Sequence, residues 1–339
     1  MTLLHQLPWR SEVEIMGAWP PGDPPLVSVC CATYNHAAYI EEALCSFLQQ
    51  QTCFPFEIIV RDDASTDGTA AKVADFAQRY PNIIRPLLNA ENRFSKGERA
   101  LQVWPGLVRG KYLALCEGDD FWLSAEKLQK QADALERQPA AGICFHGSAT
   151  LEDGVLKDSV FRYEPRLYRL DEHVLADFHF MQTNTLMFRR EFLDPAFIEF
   201  LSHVTVGDFF LRFYAGRGGA ICLPEQMGCY RVFSAGSWSS RLREEDNRRA
   251  FFARYLDELR RFDAFLGHEH ADLLARYRLK VLIALARSPV SLRHRLKIIL
   301  RHRECLTPAR MFSLAAGWIR SGECLRKLKC RFGRLLGRS

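Results

Sequence analysis

The sequence predicts an α/β protein: a Rossmann-type, mostly parallel sheet flanked by helices, followed by a helical and basic C-terminal extension. Three observations predict it. Short apolar runs alternate with stretches of helical periodicity from Leu26 to Gly147. Acidic clusters close two of those runs, where parallel sheets present their functional residues. Residues 288–339 hold 13 basic and 2 acidic side chains, a local +11 in a chain of net +6, so the preceding 287 residues carry −5.

The elements follow in order. Pro20, Pro21, Pro24 and Pro25 make residues 1–25 a stiff lead-in. Leu26 to Ala32 is almost wholly apolar, as a strand buried on both faces requires, and it ends at Thr33-Tyr34-Asn35. Asn35 is placed to cap a helix whose Ile40, Ala43, Leu44, Phe47 and Leu48 share one face. Phe56 to Val60 is the second strand, Asp67 caps the second helix, and Ile83 to Leu88 is the third strand. Phe94 to Val108 reads as partly helical, broken at Pro105 and Gly106. Lys111 to Cys116 is the fourth strand and runs into Glu117-Gly-Asp-Asp120; a helix over 124–138 and a strand over 142–147 follow. Asp153-Gly154 between β-prone runs is a hairpin turn. From Glu244 onward Phe252, Tyr255, Leu256, Leu259, Phe262 and Leu266 form a helical stripe. The expected organisation is therefore 1–25, a domain over 26–240 in two halves (26–122 and 123–240), and an extension over 241–339.

Composition narrows the function classes. With 48% apolar and 25% charged residues in 339, the chain is globular rather than disordered or collagen-like. Its 11 cysteines are scattered without a Cys-x-x-Cys pair, which argues against a disulfide framework or a zinc site. The N-terminal apolar stretch is cut by His5, Pro8 and Arg10, and no window approaches the roughly 18 apolar residues of a spanning helix. A reducing cytoplasmic setting is expected. No recognised nucleic-acid module is present, so nucleic acid is not an expected partner.

Paired carboxylates follow the second strand (Asp62, Asp63) and the fourth (Glu117, Asp119, Asp120). Carboxylates gathered at one sheet edge repel one another unless a cation or hydrogen-bond donors compensate them. A hard divalent cation, Mg²⁺ or Mn²⁺, takes one or two carboxylates and completes its shell with water and phosphate oxygens. The plainer reading of either pair alone is a turn or helix cap.

Three stretches in this order resemble the family 2 glycosyltransferases, inverting enzymes of the GT-A fold: Val27-Ser-Val-Cys-Cys-Ala-Thr-Tyr-Asn35, Phe56-Glu-Ile-Ile-Val-Arg-Asp-Asp-Ala-Ser-Thr-Asp-Gly-Thr69 and Gly110-Lys-Tyr-Leu-Ala-Leu-Cys-Glu-Gly-Asp-Asp-Phe-Trp122. The resemblance covers about residues 26 to 240. It implies that Ala32, Thr33, Tyr34 and Asp63 cradle the nucleoside of a nucleotide-sugar, with Asp63 accepting from a uracil- or thymine-like ring N–H, so that UDP- or dTDP-type donors are favoured. Tyr34 also reads as a core aromatic. Lys96 is placed near the diphosphate by the family pattern and is equally an exposed loop lysine. The resemblance makes Asp120 the metal ligand and gives Asp119 to the ribose or the metal shell. Thr205-Val-Gly-Asp208-Phe-Phe-Leu-Arg-Phe matches a later motif whose acidic residue is the general base, Asp208, which also suits a helix cap.

The stretch Gly228-Cys-Tyr-Arg-Val-Phe233 carries Phe233 where the family has His, leaving Arg231 with Ser237 or Ser239 to compensate; Trp238 is either an acceptor stack or a loop anchor. Trp318, Leu325, Leu328, Phe332 and Leu335 alternate with Arg326, Lys327, Lys329, Arg331 and Arg334, a pattern that suits an anionic membrane surface or packing on the chain's own domain. The expected reaction is sugar transfer with inversion to a hydroxyl acceptor, a lipid-linked glycan of surface polysaccharide assembly if the tail meets a membrane. A sugar-nucleotidyltransferase and a non-catalytic nucleotide- or glycan-binding protein remain the alternatives.

Overall fold

A strand buried on both faces needs apolar side chains in both directions, and Val27–Thr33 (β1) supplies them at the centre of the sheet. The structure is a computed structural model and describes residues 10–232 and 244–302. By contact density it divides into two units, Met1–His203 with Gly207–Ser237, and Val204–Val206 with Trp238–Ser339.

The first unit opens with a short helix, α1 (Glu12–Met16), closed by a capping box between Ser11 and Glu14. The units β1, α2 (Ile40–Leu48), β2 (Phe56–Asp62), α3 (Thr69–Arg79) and β3 (Ile84–Leu88) then step outward on one side of β1. After α4 (Ala100–Leu107) the chain crosses back, and β4 (Tyr112–Leu115) pairs with β1 on its other side, also in parallel. The order β3-β2-β1-β4 thus reverses direction between β1 and β4. In parallel sheets such a switch point opens a crevice beyond the strands' carboxyl ends, because the two flanking loops diverge to opposite faces.

The remaining strands are β5 (Phe121–Trp122), β6 (Ile143–Glu152), β7 (Val155–Lys157), β8 (Leu167–Tyr168), β9 (Met187–Arg189) and β10 (Ala220–Arg231), with helices α5 (Lys127–Arg137), α6 (Leu170–Leu175), α7 (Pro195–Ser202) and α8 (Asp208–Ala215). They extend the sheet in the order β9-β6-β10-β5. The long ladders are parallel and the short ones, through β5, β7, β8 and β9, are antiparallel. The hairpin at Asp153-Gly154 is formed, with both residues at positive φ (49° and 78°), as a tight two-residue turn requires. β10 holds three residues, Pro224, Glu225 and Met227, that have no opposite residue on β6, so its ladder slips twice before it resumes at Gly228.

Two expectations are corrected. Asn35 does not cap α2; it sits at φ 55° and its side chain accepts from the Thr66 N–H (2.8 Å), because a turn separates it from Ile40. The helix expected within 94–108 is Ala100–Leu107, with Pro105 inside its last turn, where the missing N–H costs a single ladder bond.

Beneath the sheet's other end, Glu57 is fully buried and accepts from Ser28 Oγ, Arg85 Nη1, Arg109 Nε and the Arg109 N–H at 2.6–2.7 Å. The second unit contains α9 (Glu245–Phe265), α10 (Ala271–Arg287) and α11 (Leu292–Arg301). Tyr255, Leu256, Leu259 and Phe262 are buried on one stripe of α9, and Tyr255 meets Tyr277 of α10 hydroxyl to hydroxyl at 3.1 Å. No helix among the described residues is long and apolar enough to cross a membrane.

Candidate active site

Three chain segments meet the crevice beside β1. The first two are the loops after β1 and β2, and crossing hydrogen bonds stitch them together. The Asn35 N–H donates to Ser65 Oγ (2.8 Å), the His36 N–H to Thr69 Oγ1 (2.9 Å) and the Ala37 N–H to Asp67 Oδ2 (2.9 Å). Burial opposes the Asp67 charge, yet the donors from Thr69 and Ala37 hold its carboxyl below the usual range. Asp67 also accepts the Thr69 N–H (3.0 Å), but the N-cap of α3 is Gly68 and not Asp67 as expected, because the helix begins only at Thr69.

The third segment follows β4. The Gly118 N–H donates to Ala32 O (2.9 Å), so the parallel pairing runs past the strand and lays Glu117-Gly118 beside Thr33. Only glycine fits there: a Cβ at Gly118 would lie 2.7 Å from Thr33 Oγ1. Thr33 is thereby buried, whereas the Tyr34 side chain beside it is 39% exposed and free to present its ring.

Asp62 is held by the loop that follows it and Asp63 by the loop after β3. Asp62 accepts from the N–H and the hydroxyl of Ser65. Asp63 Oδ1 accepts from Asn89 Nδ2 (2.8 Å) and the Arg93 N–H (2.9 Å), and Oδ2 from the Phe94 N–H (3.0 Å). Asp63 therefore organises loop 89–94, a role that the sequence did not suggest, and it keeps one Oδ2 lone pair for an added donor. Lys96, at the end of that loop, is exposed and paired with Glu91.

Asp119 and Asp120 are placed differently. Asp120 is 2% exposed; its Oδ1 accepts the Arg231 N–H (2.8 Å) and its Oδ2 is buried without a hydrogen-bond partner. Burial, then the like charges of Asp119 and Glu117, push its carboxyl well above the carboxylate range, against the pull of Arg231. Asp119 faces His36, with Nε2 and Oδ2 3.8 Å apart. The Arg231 guanidinium pairs with Glu42, donates to Asp119 O (2.9 Å) and lies 4.6 Å from the centre of the Tyr39 ring. It clamps the end of β10 to the loop after β4. Phe233, Ser237, Trp238, Ser239 and the basic tail beyond His302 lie outside the described residues.

Asp208 opens α8, where the helix N-terminus favours a negative group. Its side chain does not cap the helix; Oδ2 accepts from Thr183 Oγ1 at 2.7 Å. The short turn around Thr183 is itself held to the sheet, since Trp122 Nε1 donates to Asn184 O (3.0 Å) and the Leu115 N–H to Leu186 O (3.1 Å). That anchoring brings Asp208 within electrostatic reach of Glu117. Glu117 remains solvent-accessible, and desolvation in the crevice together with the charges of Asp119 and Asp208 raises its carboxyl to about 8. Thr183, His36 and the hold of Arg231 on Glu42 and Asp119 are not legible in the sequence, because each depends on a neighbour distant in the chain.

Among the described residues no three His, Cys, Asp or Glu side chains form a ready-made metal cage. A Mg²⁺ or Mn²⁺ site does not require one, since water and substrate oxygens fill most of the shell. The partnerless buried Oδ2 of Asp120, with Asp119 alongside, fits such an ion.

Known proteins resemble the chain as follows. An uncharacterized protein of Mycobacterium tuberculosis is 39% identical over 218 residues, which are 63% of this chain and 61% of that protein. Staphylococcus aureus TarS, residues 1–349, solved in complex with UDP-GlcNAc, superposes with a TM-score of 0.54 at 17% identity, covering 91% of this chain and 92% of that one. The mannosyltransferase PcManGT of Pyrobaculum calidifontis, solved with GDP-Man and Mn²⁺, superposes with a TM-score of 0.50 at 20% identity over 94% and 90% of the two chains. These structures share the fold of the α/β sheet with its flanking helices. The sequence model described as glycosyl transferase family 2 matches residues 28–197, half of the chain, and the chain belongs to that family.

Proposed function

We propose that the chain moves one sugar from a nucleoside-diphosphate sugar to a hydroxyl acceptor with inversion at the anomeric carbon. The observation that carries this reading is that Asp208, at the start of α8, lies within electrostatic reach of Glu117, the first carboxylate of the loop after β4 at the switch point of the sheet. An in-line displacement needs a base on one side of the sugar and charge compensation for the leaving group on the other. Asp208 takes the proton of the acceptor hydroxyl as its oxygen bonds to the anomeric carbon and the bond to the diphosphate breaks. Thr183 occupies Oδ2, which leaves Oδ1 to face the acceptor. A divalent cation held through Asp120 with Asp119, Mg²⁺ or Mn²⁺, supplies the compensation for the departing diphosphate when bound.

Tyr34 offers its exposed ring to the base or ribose, next to the backbone of Ala32 and Thr33. The remaining Oδ2 lone pair of Asp63 suits the ring N–H of a uracil or thymine, which favours UDP- or dTDP-sugars; TarS, of the same fold, was solved with UDP-GlcNAc. Lys96 would exchange Glu91 for a phosphate oxygen. A lipid-linked glycan is the acceptor that fits a basic C-terminal sequence meeting an anionic membrane surface.

Incubation with a panel of nucleotide-sugars and acceptors tests the reaction: nucleoside diphosphate is the expected product, whereas pyrophosphate released from a nucleoside triphosphate would mark a sugar-nucleotidyltransferase. Asp208→Asn is expected to lower turnover by about 10²- to 10⁴-fold, the usual span for a general base, with donor binding retained. Unchanged turnover in that variant overturns the assignment.

A further inference from the structure

Helix α9 buries an acid among its apolar residues. Glu258 falls at helical spacing on the stripe of Tyr255, Leu259 and Phe262 and is 3% exposed. Its Oε1 accepts twice from one residue, from the Thr205 N–H (2.8 Å) and from Thr205 Oγ1 (2.6 Å). Oε2 is buried with no hydrogen-bond partner among the described residues. Burial raises this carboxyl, and the two Thr205 donors draw it back. An apolar side chain would fill the same place at less cost, so the packing of α9 does not account for an acid there. What the acid does secure is Thr205.

Thr205 stands in the irregular segment between α7 and α8, three residues before Asp208. Residues 204–206 group with the second unit, and the chain returns to the first at Gly207. Gly207 opens α8 by accepting the Leu211 N–H (2.9 Å), and Asp208 is held by Thr183 Oγ1. Three residues of chain span at most about 11 Å, so a shift of Thr205 reaches Asp208 with little slack. We infer that Glu258 is a positioning residue: by holding Thr205, it sets where Asp208 stands to take the acceptor proton. A base must come within hydrogen-bond reach of that proton, and a misplacement of about 1 Å can cost about 10²-fold in rate. The inference rests on Asp208 as the general base and gives the helical extension a part in turnover.

The test uses the full chain and whichever UDP- or dTDP-sugar releases nucleoside diphosphate with the wild type. Glu258→Leu removes the acceptor of both bonds, and kcat is expected to fall about 10- to 100-fold with the donor KM unchanged. Glu258→Gln keeps an acceptor for both Thr205 donors and is expected to restore turnover even where its melting temperature is lower. Thr205→Val removes the hydroxyl donor alone and is expected to give a smaller fall in kcat; it carries the test if thermal melts show that Glu258→Leu has not folded. Because Glu258 acts through Asp208, Glu258→Leu is expected to cost nothing further in the residual turnover of Asp208→Asn. Unchanged kcat in folded Glu258→Leu, failure of Glu258→Gln to restore it, or a full further fall in the Asp208→Asn background overturns the proposal. If Asp208→Asn loses turnover and Glu258→Leu does not, only the role of Glu258 fails. If Asp208→Asn keeps full turnover, or the wild type releases nucleoside diphosphate from none of these sugars, the reading of the reaction fails and the inference with it.

Discussion

Two Asp-Asp pairs flank the central strand, one closing β2 and the other following β4, and the chain treats them in opposite ways. Asp62 and Asp63 are met by five donors within hydrogen-bond reach, three of them backbone N–H groups of the loops after β2 and β3. Asp120 receives one, from the Arg231 N–H, and its second oxygen receives none. The dipeptide is the same; the supply of donors is not. A saturated carboxylate spends its charge on holding its own loop, while an undersupplied one is held in readiness for a ligand.

Substitutions can break that contrast. The largest effect is expected for Asp120→Asn, with turnover falling on the order of a thousandfold through loss of the cation's compensation. Its melting temperature should hold or rise, since a buried carboxylate short of donors is removed. Asp63→Asn is expected to do the reverse: it sets an amide N–H against a backbone N–H of Arg93 or Phe94 and costs about 1–3 kcal/mol. Differential scanning calorimetry and amide exchange at Arg93 and Phe94 read that loss, and turnover should fall far less than in Asp120→Asn. Should Asp63→Asn abolish turnover and leave the melting temperature unmoved, the distinction between the two pairs is wrong.

The smallest effect is one of pH. With its carboxyl raised to about 8 from an ordinary 4.5, Glu117 keeps a proton in the folded chain that the unfolded chain has released across that window. Stability contributed by this group is therefore present at low pH and declines as pH rises from 4.5 toward 8. A cation that replaces the proton removes the penalty, so the rise in melting temperature produced by Mn²⁺ should grow between pH 6 and 8. An increment independent of pH would detach Glu117 from the cation site.

Much of this was legible in the sequence, for reasons that differ between the two ends of the sheet. β1 to β4 and their helices declare themselves because a buried parallel strand needs a mostly apolar run, and the intervening helices need a 3.6-residue stripe. Phe121–Trp122 and Met187–Arg189 do not, since two or three residues set no period and their sheet neighbours lie far away in the chain. The same holds within the site. Asp120 and Asp208 could be nominated from motifs, whereas the saturation of Asp63 depends on backbone N–H groups that any sequence possesses. His36 acquires meaning only when folding sets Asp119 beside it, and Thr183 only when the turn before β9 reaches Asp208.

The slipped ladder of β10 has a consequence of its own. The twelve residues from Ala220 to Arg231 lie opposite the nine from Ile143 to Leu151, so the three surplus residues are absorbed as bulges that bend and twist β10 instead of lengthening it. The direction in which the strand arrives at Arg231 is thus set upstream: an uninterrupted ladder of identical chemistry would bring the guanidinium to Glu42 and to the turn holding Asp119 and Asp120 at a different angle.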